Sequence, residues 1–142
     1  MQVFVPYPEP IAVARCLDSR RLRKQIIECD QILKAVRGET TSWAKHPVTK
    51  MYAKYTDWLY YYRETLAAYV DGRSAAAVYS SRYAMSNLRP PFLTVEFCDQ
   101  HKRRLYAKSP SLYPQFASYG ASEENWYVID GVIVKYIKGK QI

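Results

Sequence analysis

One long stretch of this chain has the spacing of an amphipathic helix, and it constrains the fold more than any other feature. It lies between Asp18, a residue suited to cap a helix N-terminus, and Gly38, a residue suited to end one. Apolar side chains recur there every three or four residues, at Leu22, Ile26, Cys29, Leu33 and Val36. Such a stripe must be buried against other elements, so the stretch predicts a long core-facing helix.

The segments on either side of this stretch predict further helices. Residues 2–5 are expected to be extended as far as Pro6, and residues 9–17 to form a short helix. A third helix is expected to begin at Pro47 and to end at Asp71-Gly72. Its predicted buried stripe is rich in aromatic residues and consists of Met51, Tyr55, Trp58, Leu59, Tyr62, Leu66 and Tyr69.

The second half of the chain predicts more helix and one hairpin. Helices are expected over 74–85 and from a Thr94 cap to Lys108, with a loop over 87–91 and a short helical turn opened by Pro110. Asp130-Gly131 between two apolar runs predicts a two-residue hairpin turn. The predicted fold is mainly α: one compact domain over 1–142, with a helical body over 1–116 and a small C-terminal β-hairpin at about 126–137.

Charge and composition narrow the class of partner. The 142 residues carry 21 Lys and Arg against 13 Asp and Glu, a net charge of +8, which favours a polyanion such as nucleic acid over an inert basic surface. The three cysteines form no Cys-x-x-Cys pair and are expected to be thiols in a reducing cytoplasm. No signal peptide or membrane-spanning run is expected, and the chain is expected to be a monomer.

A polar stripe runs beside the apolar one on the long predicted helix. Arg21, Lys24, Gln25 and Glu28 stand at i, i+3, i+4 and i+7 and therefore point the same way. A carboxylate between two cations can steady a developing cation, or accept a proton if it is partly desolvated. The alternative is a solvated face held by i, i+4 ion pairs.

Both histidines of the chain lie among basic and aromatic residues. His46 precedes Pro47 and can cap a helix or meet a phosphate, while Trp43, off the helical stripes, is a candidate for stacking on a base. His101, Arg104 and Lys108 share one side of a predicted helix and can bind phosphates or form a solvated face. No metal site or cofactor is expected, because the histidines have no ligand-like spacing and no glycine-rich phosphate loop is present.

Several of these motifs together resemble one family. The runs Leu17-Asp18-x-x-Arg21-Leu22-x-Lys24-Gln25-x-x-Glu28 and Trp43-x-x-His46-Pro47-x-x-Lys50-Met51 resemble the pyrimidine-dimer DNA glycosylases of the phage endonuclease V type, as a divergent branch. The opening Phe4-Val5-Pro6-Tyr7-Pro8 and the later Pro90-Pro91-x-Leu93, Phe97, His101, Leu105, Lys108, Pro110 and Tyr113 also fit that family. The resemblance covers residues 1–116.

The resemblance implies a mainly helical fold and two linked activities on duplex DNA. These are removal of a damaged or modified pyrimidine and cleavage of the strand at the abasic site, through a Schiff base on the N-terminal amine. Met1 is then the expected nucleophile and Glu28 the supporting carboxylate. The expected contacts with phosphate or an extruded nucleotide are Arg21, Lys24, Gln25, Trp43, His46, His101, Arg104 and Lys108.

This chain departs from the family pattern at three places. Residue 2 is Gln rather than a small residue, so Met1 is expected to be retained, and the family's Arg-Glu pair is absent from the helix, where Glu28 is the only glutamate. His101 stands about where the family has an arginine. Two alternatives on the same fold stay open: a basic nucleic-acid-binding module without catalysis, and an enzyme that acts on a free nucleotide.

Overall fold

The computed structural model describes residues 1–73 and 89–142 and has a mainly helical body followed by a small sheet. The helices are α1 (Pro10–Cys16), α2 (Ser19–Val36), α3 (Pro47–Tyr52), α4 (Thr56–Val70) and α5 (Val95–Lys108), with a 3₁₀ helix at Pro114–Tyr119. The antiparallel sheet has the order β1 (Asn125–Ile129), β2 (Val132–Ile137) and β3 (Lys140–Gln141). This confirms the predicted mainly α fold with a C-terminal hairpin. The helix expected over 74–85 and the start of the loop at 87–91 lie outside the described residues.

Helix α2 begins and ends as its sequence predicts. The Asp18 side chain accepts a hydrogen bond from the Arg21 backbone N–H at 3.3 Å, and Gly38 follows the last turn with a φ of 75°. Leu22, Cys29 and Leu33 of the apolar stripe are buried, and the helix packs against α4 and α3. The Thr94 cap of α5 is also present, with its hydroxyl accepting from the Phe97 N–H at 3.2 Å.

The extended N-terminal segment lies in the core rather than at a sheet edge. Residues 2–5 are all buried, so their backbone groups need hydrogen-bond partners. Side chains supply them: Gln25 Oε1 accepts from the Phe4 N–H at 2.9 Å, and Gln25 Nε2 donates to the Gln2 carbonyl at 3.0 Å. The Tyr62 hydroxyl donates to the Phe4 carbonyl at 2.7 Å. Side chains of α2 and α4 therefore supply backbone partners that neighbouring strands supply in a sheet.

The single long helix predicted from Pro47 to Asp71-Gly72 is wrong, because the structure has two helices there. Tyr55 donates its N–H to the Tyr52 carbonyl at 2.8 Å, a tight turn that interrupts the α-helical ladder. The break lets Tyr52 stack on Trp58, with ring centroids 6.1 Å apart, and lets Phe92 pack edge-on against Tyr52 and Tyr55. Aromatic packing with a residue distant in sequence thus overrides local helix propensity.

The change of direction also alters the predicted aromatic stripe. Five residues of the stripe are buried as expected: Met51, Trp58, Leu59, Tyr62 and Leu66. Tyr69, which was expected in the core, is 44% exposed near the end of α4. Half-buried Tyr55 packs at the margin of the core.

The C-terminal hairpin turns at the predicted dipeptide and packs on the helical body. Ile129 pairs with Val132, and Asp130 and Gly131 have φ angles of 52° and 78°, as a two-residue type I′ turn requires. Lys138-Gly139 makes a second such turn, with φ angles of 51° and 79°, and adds the short strand β3, which was not predicted. Strand β1 packs against α3 and α5, so this sheet contributes to the core.

The structure places the last helical segment later than predicted. Residues 110–112 form a turn closed by the Tyr113 N–H on the Ser109 carbonyl at 3.2 Å, and the 3₁₀ helix begins four residues after Pro110, at Pro114. Tyr113 and Phe116 of this region are buried with their rings stacked. Within 1–73 and 89–142, no helix has the length and apolar character needed to cross a bilayer.

Candidate active site

A cleft of about 510 Å³ lies where the N-terminus, α2, α5 and β1 meet. Its described lining includes five cationic side chains and two carboxylates, so it is strongly basic. The lining residues are Met1, Gln2, Phe4, Asp18, Arg20, Arg21, Lys24, Gln25, Glu28, Arg104, Lys108, Ser109, Leu112 and Asn125. A concave site with this balance suits an anionic ligand.

The whole predicted polar stripe of α2 faces this cleft. Gln25 and Glu28 are 2% and 8% exposed, and Gln25 Nε2 donates to Glu28 Oε2 at 3.1 Å. Lys24 Nζ lies 3.9 Å from Glu28 Oε1, and Arg21 is held by Asp18 at 3.0 Å and lies over the ring of Tyr113. The solvated-face alternative therefore does not describe the inner half of the stripe, since two of its four side chains are buried.

The α-amine of Met1 lies in the same cleft, in an environment that disfavours its charged form. Burial lowers the pKa of this amine below its usual value of 8.0, and the nearby cations Lys24, Lys108 and Arg104 lower it further. Glu28 acts in the opposite direction and raises it. The net lowering increases the fraction of neutral, nucleophilic amine at neutral pH.

The Glu28 carboxylate interacts electrostatically with this amine and has an altered pKa of its own. Burial raises the pKa of Glu28, although Lys24, the Met1 amine and hydrogen bonds from the Gln2 backbone and the Gln25 side chain all lower it. A carboxylate with a raised pKa takes up a proton more readily than an exposed one, so it is better suited to act as an acid or a base near neutral pH. The amine and the carboxylate form the chemically distinctive pair of the cleft.

Two basic side chains of α5 form the opposite wall. Arg104 Nε donates to Asn125 Oδ1 of β1 at 2.8 Å. Burial lowers the pKa of both Arg104 and Lys108, and repulsion between cations, including Arg21, lowers both further. An anion bound between these walls would relieve that repulsion.

His101 does not contribute to the cleft surface, although it was predicted to contact nucleic acid. Its ring is 1% exposed, and Nδ1 accepts a hydrogen bond from the Val5 N–H at 2.8 Å. The proton of the neutral ring is then on Nε2, 3.3 Å from the side-chain amide of Gln2. An amide oxygen directed at Nε2 satisfies both groups and gives the otherwise unpartnered, buried Gln2 Oε1 a donor. Helical spacing predicted that His101 and Arg104 share one side of the helix. It could not show that the His101 ring points into the core.

His46 lies close enough to the Met1 amine to feel its charge, Trp43 packs on His46, and neither residue lines the cleft. His46 caps α3, with Nδ1 accepting from the Val48 N–H at 3.1 Å. Burial and, to a smaller degree, the Met1 amine lower its pKa to about 4, so its ring is neutral near pH 7. Trp43 is 40% exposed and packs edge-on against His46, which packs edge-on against Tyr127.

Sequence reasoning missed several residues at this site. Arg20 precedes the predicted polar stripe by one position, and Asn125 opens the hairpin; both line the cleft. Tyr127 donates its hydroxyl to the Met1 carbonyl at 2.9 Å, a contact across 126 residues that no local pattern reports. Among the described residues, no group of three His, Cys, Asp or Glu side chains is arranged to hold a metal ion.

The fold and the cleft define a class of protein, a small helical protein with a basic cleft around an amine–carboxylate pair. The family model described as pyrimidine dimer DNA glycosylase matches residues 1–75, and the chain belongs to this family. The family resemblance noted in the sequence is thus confirmed, and DNA is the substrate class that the family implies. Comparison with curated proteins and with solved structures gave no match.

Proposed function

We propose that this protein is a DNA N-glycosylase and abasic-site lyase that acts on damaged or modified pyrimidines in duplex DNA. The observation that carries the proposal is the Met1 α-amine, which lies in a basic cleft beside Glu28 and has a lowered pKa. Membership of a DNA glycosylase family supports the substrate class.

The proposed chemistry begins with attack of the neutral Met1 amine on C1′ of the damaged nucleotide. The new C–N bond forms as the glycosidic bond breaks, and the base leaves with the bonding electrons and takes up a proton. Loss of a proton from the amine nitrogen and opening of the sugar ring give the C1′=N iminium. Removal of a C2′ proton then expels the 3′ phosphate and cleaves the strand.

Glu28 has two roles in this scheme. As a carboxylate it stabilises the positive charge that develops on the sugar and on the amine nitrogen. Because burial raises its pKa, it can also accept the proton that the amine releases or the one removed from C2′. Lys24, 3.9 Å away, keeps it oriented.

The other predicted site residues divide into contacts and supports. We assign phosphate contacts to Arg21, Lys24, Arg104 and Lys108, whose charged groups surround the cleft. Trp43 is exposed enough to stack on a base beside the cleft, and His46 packs behind it. Gln25 and His101 hold the N-terminal segment from within the core.

The direct test is borohydride trapping on duplexes that carry an abasic site, a pyrimidine dimer or a modified pyrimidine. A covalent protein–DNA adduct is expected, and mass mapping should place it on the N-terminal peptide, with intact mass showing that Met1 is present. Adducts confined to lysine peptides would refute the assignment of the amine.

Substitutions at two glutamates make this test sharper. Glu28→Gln should slow trapping about 100-fold or more while leaving DNA affinity similar. Glu39→Gln is the matched control, since Glu39 is exposed and pairs with Arg37 beyond the end of α2. Salt-dependent duplex binding with no adduct on any substrate would instead favour a non-catalytic module, and binding of nucleotides but not of duplex would favour an enzyme on free nucleotides.

A further inference from the structure

The hydrogen bonds that the helices make to the N-terminal segment end one residue short of the proposed nucleophile. Gln25, Tyr62 and His101 bind backbone groups of residues 2, 4 and 5. These bonds fix the chain up to Gln2 and leave the torsions of Met1 itself unrestrained.

Within the described residues, one hydrogen bond reaches Met1 itself. The Tyr127 hydroxyl donates to the Met1 carbonyl at 2.9 Å. Fixing the carbonyl oxygen fixes the plane of the Met1–Gln2 peptide and with it the position of the Met1 Cα, to which the amine is attached. Only rotation about the Cα–C bond of Met1 can then still move the amine. The half-buried Met1 side chain packs against the core and restricts the residue further.

Tyr127 is itself held rigidly enough to serve as this anchor. It is 3% exposed, with its ring packed edge-on between His46 of the α3 cap and Tyr136 of β2, at centroid distances of 5.6 and 5.4 Å. Asn125, two positions earlier and so on the same face of β1, holds Arg104 at 2.8 Å. One face of this strand therefore contacts both the N-terminal residue and a cation of the cleft.

We propose that Tyr127 is a positioning residue that directs the Met1 amine into the cleft, and that the C-terminal sheet is therefore part of the active site. The inference rests on the proposed Schiff-base function. It goes beyond the family match, which ends at residue 75. Tyr127 acts through the Met1 carbonyl and has no role in bond making.

The test compares Tyr127→Phe with Tyr136→Phe under single-turnover conditions. Both variants remove one hydroxyl from the same sheet and keep the ring, but within the described part of the chain Tyr136 makes no hydrogen bond through its hydroxyl. On a duplex with an abasic site at saturating protein, Tyr127→Phe should trap about tenfold more slowly than the unmodified chain. Its Kd for DNA should stay within about twofold, and Tyr136→Phe should match the unmodified chain in both measurements.

A merely structural role would give a different result. It would lower the Tm of Tyr127→Phe yet leave the trapping rate unchanged at a temperature where all three proteins are folded. An unchanged rate, or an equal loss in Tyr136→Phe, would overturn the proposal.

A second measurement tests the positioning of Met1 without catalysis. Reductive methylation with ¹³C-formaldehyde gives the Met1 amine an NMR signal. This signal should differ from that of the unfolded chain, move towards it in Tyr127→Phe, and stay in place in Tyr136→Phe. If the unmodified chain forms no adduct, the Schiff-base function fails. An unmoved signal in Tyr127→Phe refutes the positioning role separately.

Discussion

Protonation of His101 should destabilise the folded chain, and the size of the effect follows from its surroundings. Nδ1 already accepts a hydrogen bond from the Val5 N–H, which can only donate. A second proton on the ring would oppose that donor and would place a charge in the core, with Arg104 adding repulsion. These effects lower the pKa of His101 from 6.5 to about 3.

The sign and magnitude of the pH dependence follow from this lowered pKa. Between about pH 3 and pH 6.5 the unfolded chain binds a proton at His101 that the folded chain does not. The stability due to neutral His101 is therefore complete above pH 6.5 and is lost as the pH falls towards 3. At about 1.4 kcal/mol per pH unit, the loss between pH 6.5 and pH 4 is roughly 3 kcal/mol.

Urea unfolding of the unmodified chain and of His101→Gln, at several pH values from 7 to 4, measures this loss. A glutamine can still accept from the Val5 N–H but does not titrate, so the titration of all other groups cancels in the difference between the two proteins. The variant should be less stable at pH 7, and the gap in unfolding free energy should narrow by about 3 kcal/mol by pH 4. Parallel stability curves would refute the reasoning, because they would mean that His101 titrates equally in the folded and unfolded chains.

Three further changes test other parts of the structure. Lys108→Ala should weaken duplex binding and reduce the slope of log K against log salt concentration by about 1. The control Lys34→Ala, at an exposed position of α2 outside the cleft, should change neither quantity. A slope equal to that of the unmodified chain would mean that Lys108 does not contact DNA phosphates. Gln25→Ala should cost about 2–4 kcal/mol in urea unfolding, because the buried Phe4 N–H and Gln2 carbonyl lose their partner; a cost below about 1 kcal/mol would contradict that role. Gly131→Ala should cost about 1–2 kcal/mol by the same assay, because its φ is 78°, and no loss would argue against the type I′ turn.

The elements predicted correctly are those with strong local signals. Asp18 and Gly38 bracket α2, Thr94 caps α5, and Asp130-Gly131 forms the hairpin turn, each through interactions within a few residues. The break between α3 and α4 has no such signal, because it contains neither Pro nor Gly. It depends on packing with Phe92, almost 40 residues further along the chain.

In the candidate site, too, the features with a local sequence signal were predicted and those that depend on distant contacts were not. Helical spacing alone aligned Arg21, Lys24, Gln25 and Glu28, and all four face one cleft. Spacing could not show which of them are buried, nor that His101 turns away from Arg104 into the core. The burial of Gln25 and Glu28 and the orientation of His101 depend on where the N-terminal segment lies. That position could not be predicted, because an extended segment whose backbone is bound by side chains has no periodic sequence pattern.

The placement of that segment explains why one site needs distant parts of the chain. A terminal amine has no covalent neighbour on one side, so the protein must direct it through contacts with the residues that follow. Gln25, His101 and Tyr62 hold those residues from α2, α5 and α4, and the Tyr127 hydroxyl reaches Met1 from β1. The segment matched by the family contains Met1 and Glu28 but neither His101 nor Tyr127. Among the described residues, the side chains that hold this segment therefore come from both halves of the chain, and the part matched by the family contains the proposed reacting groups without all of the contacts that orient them.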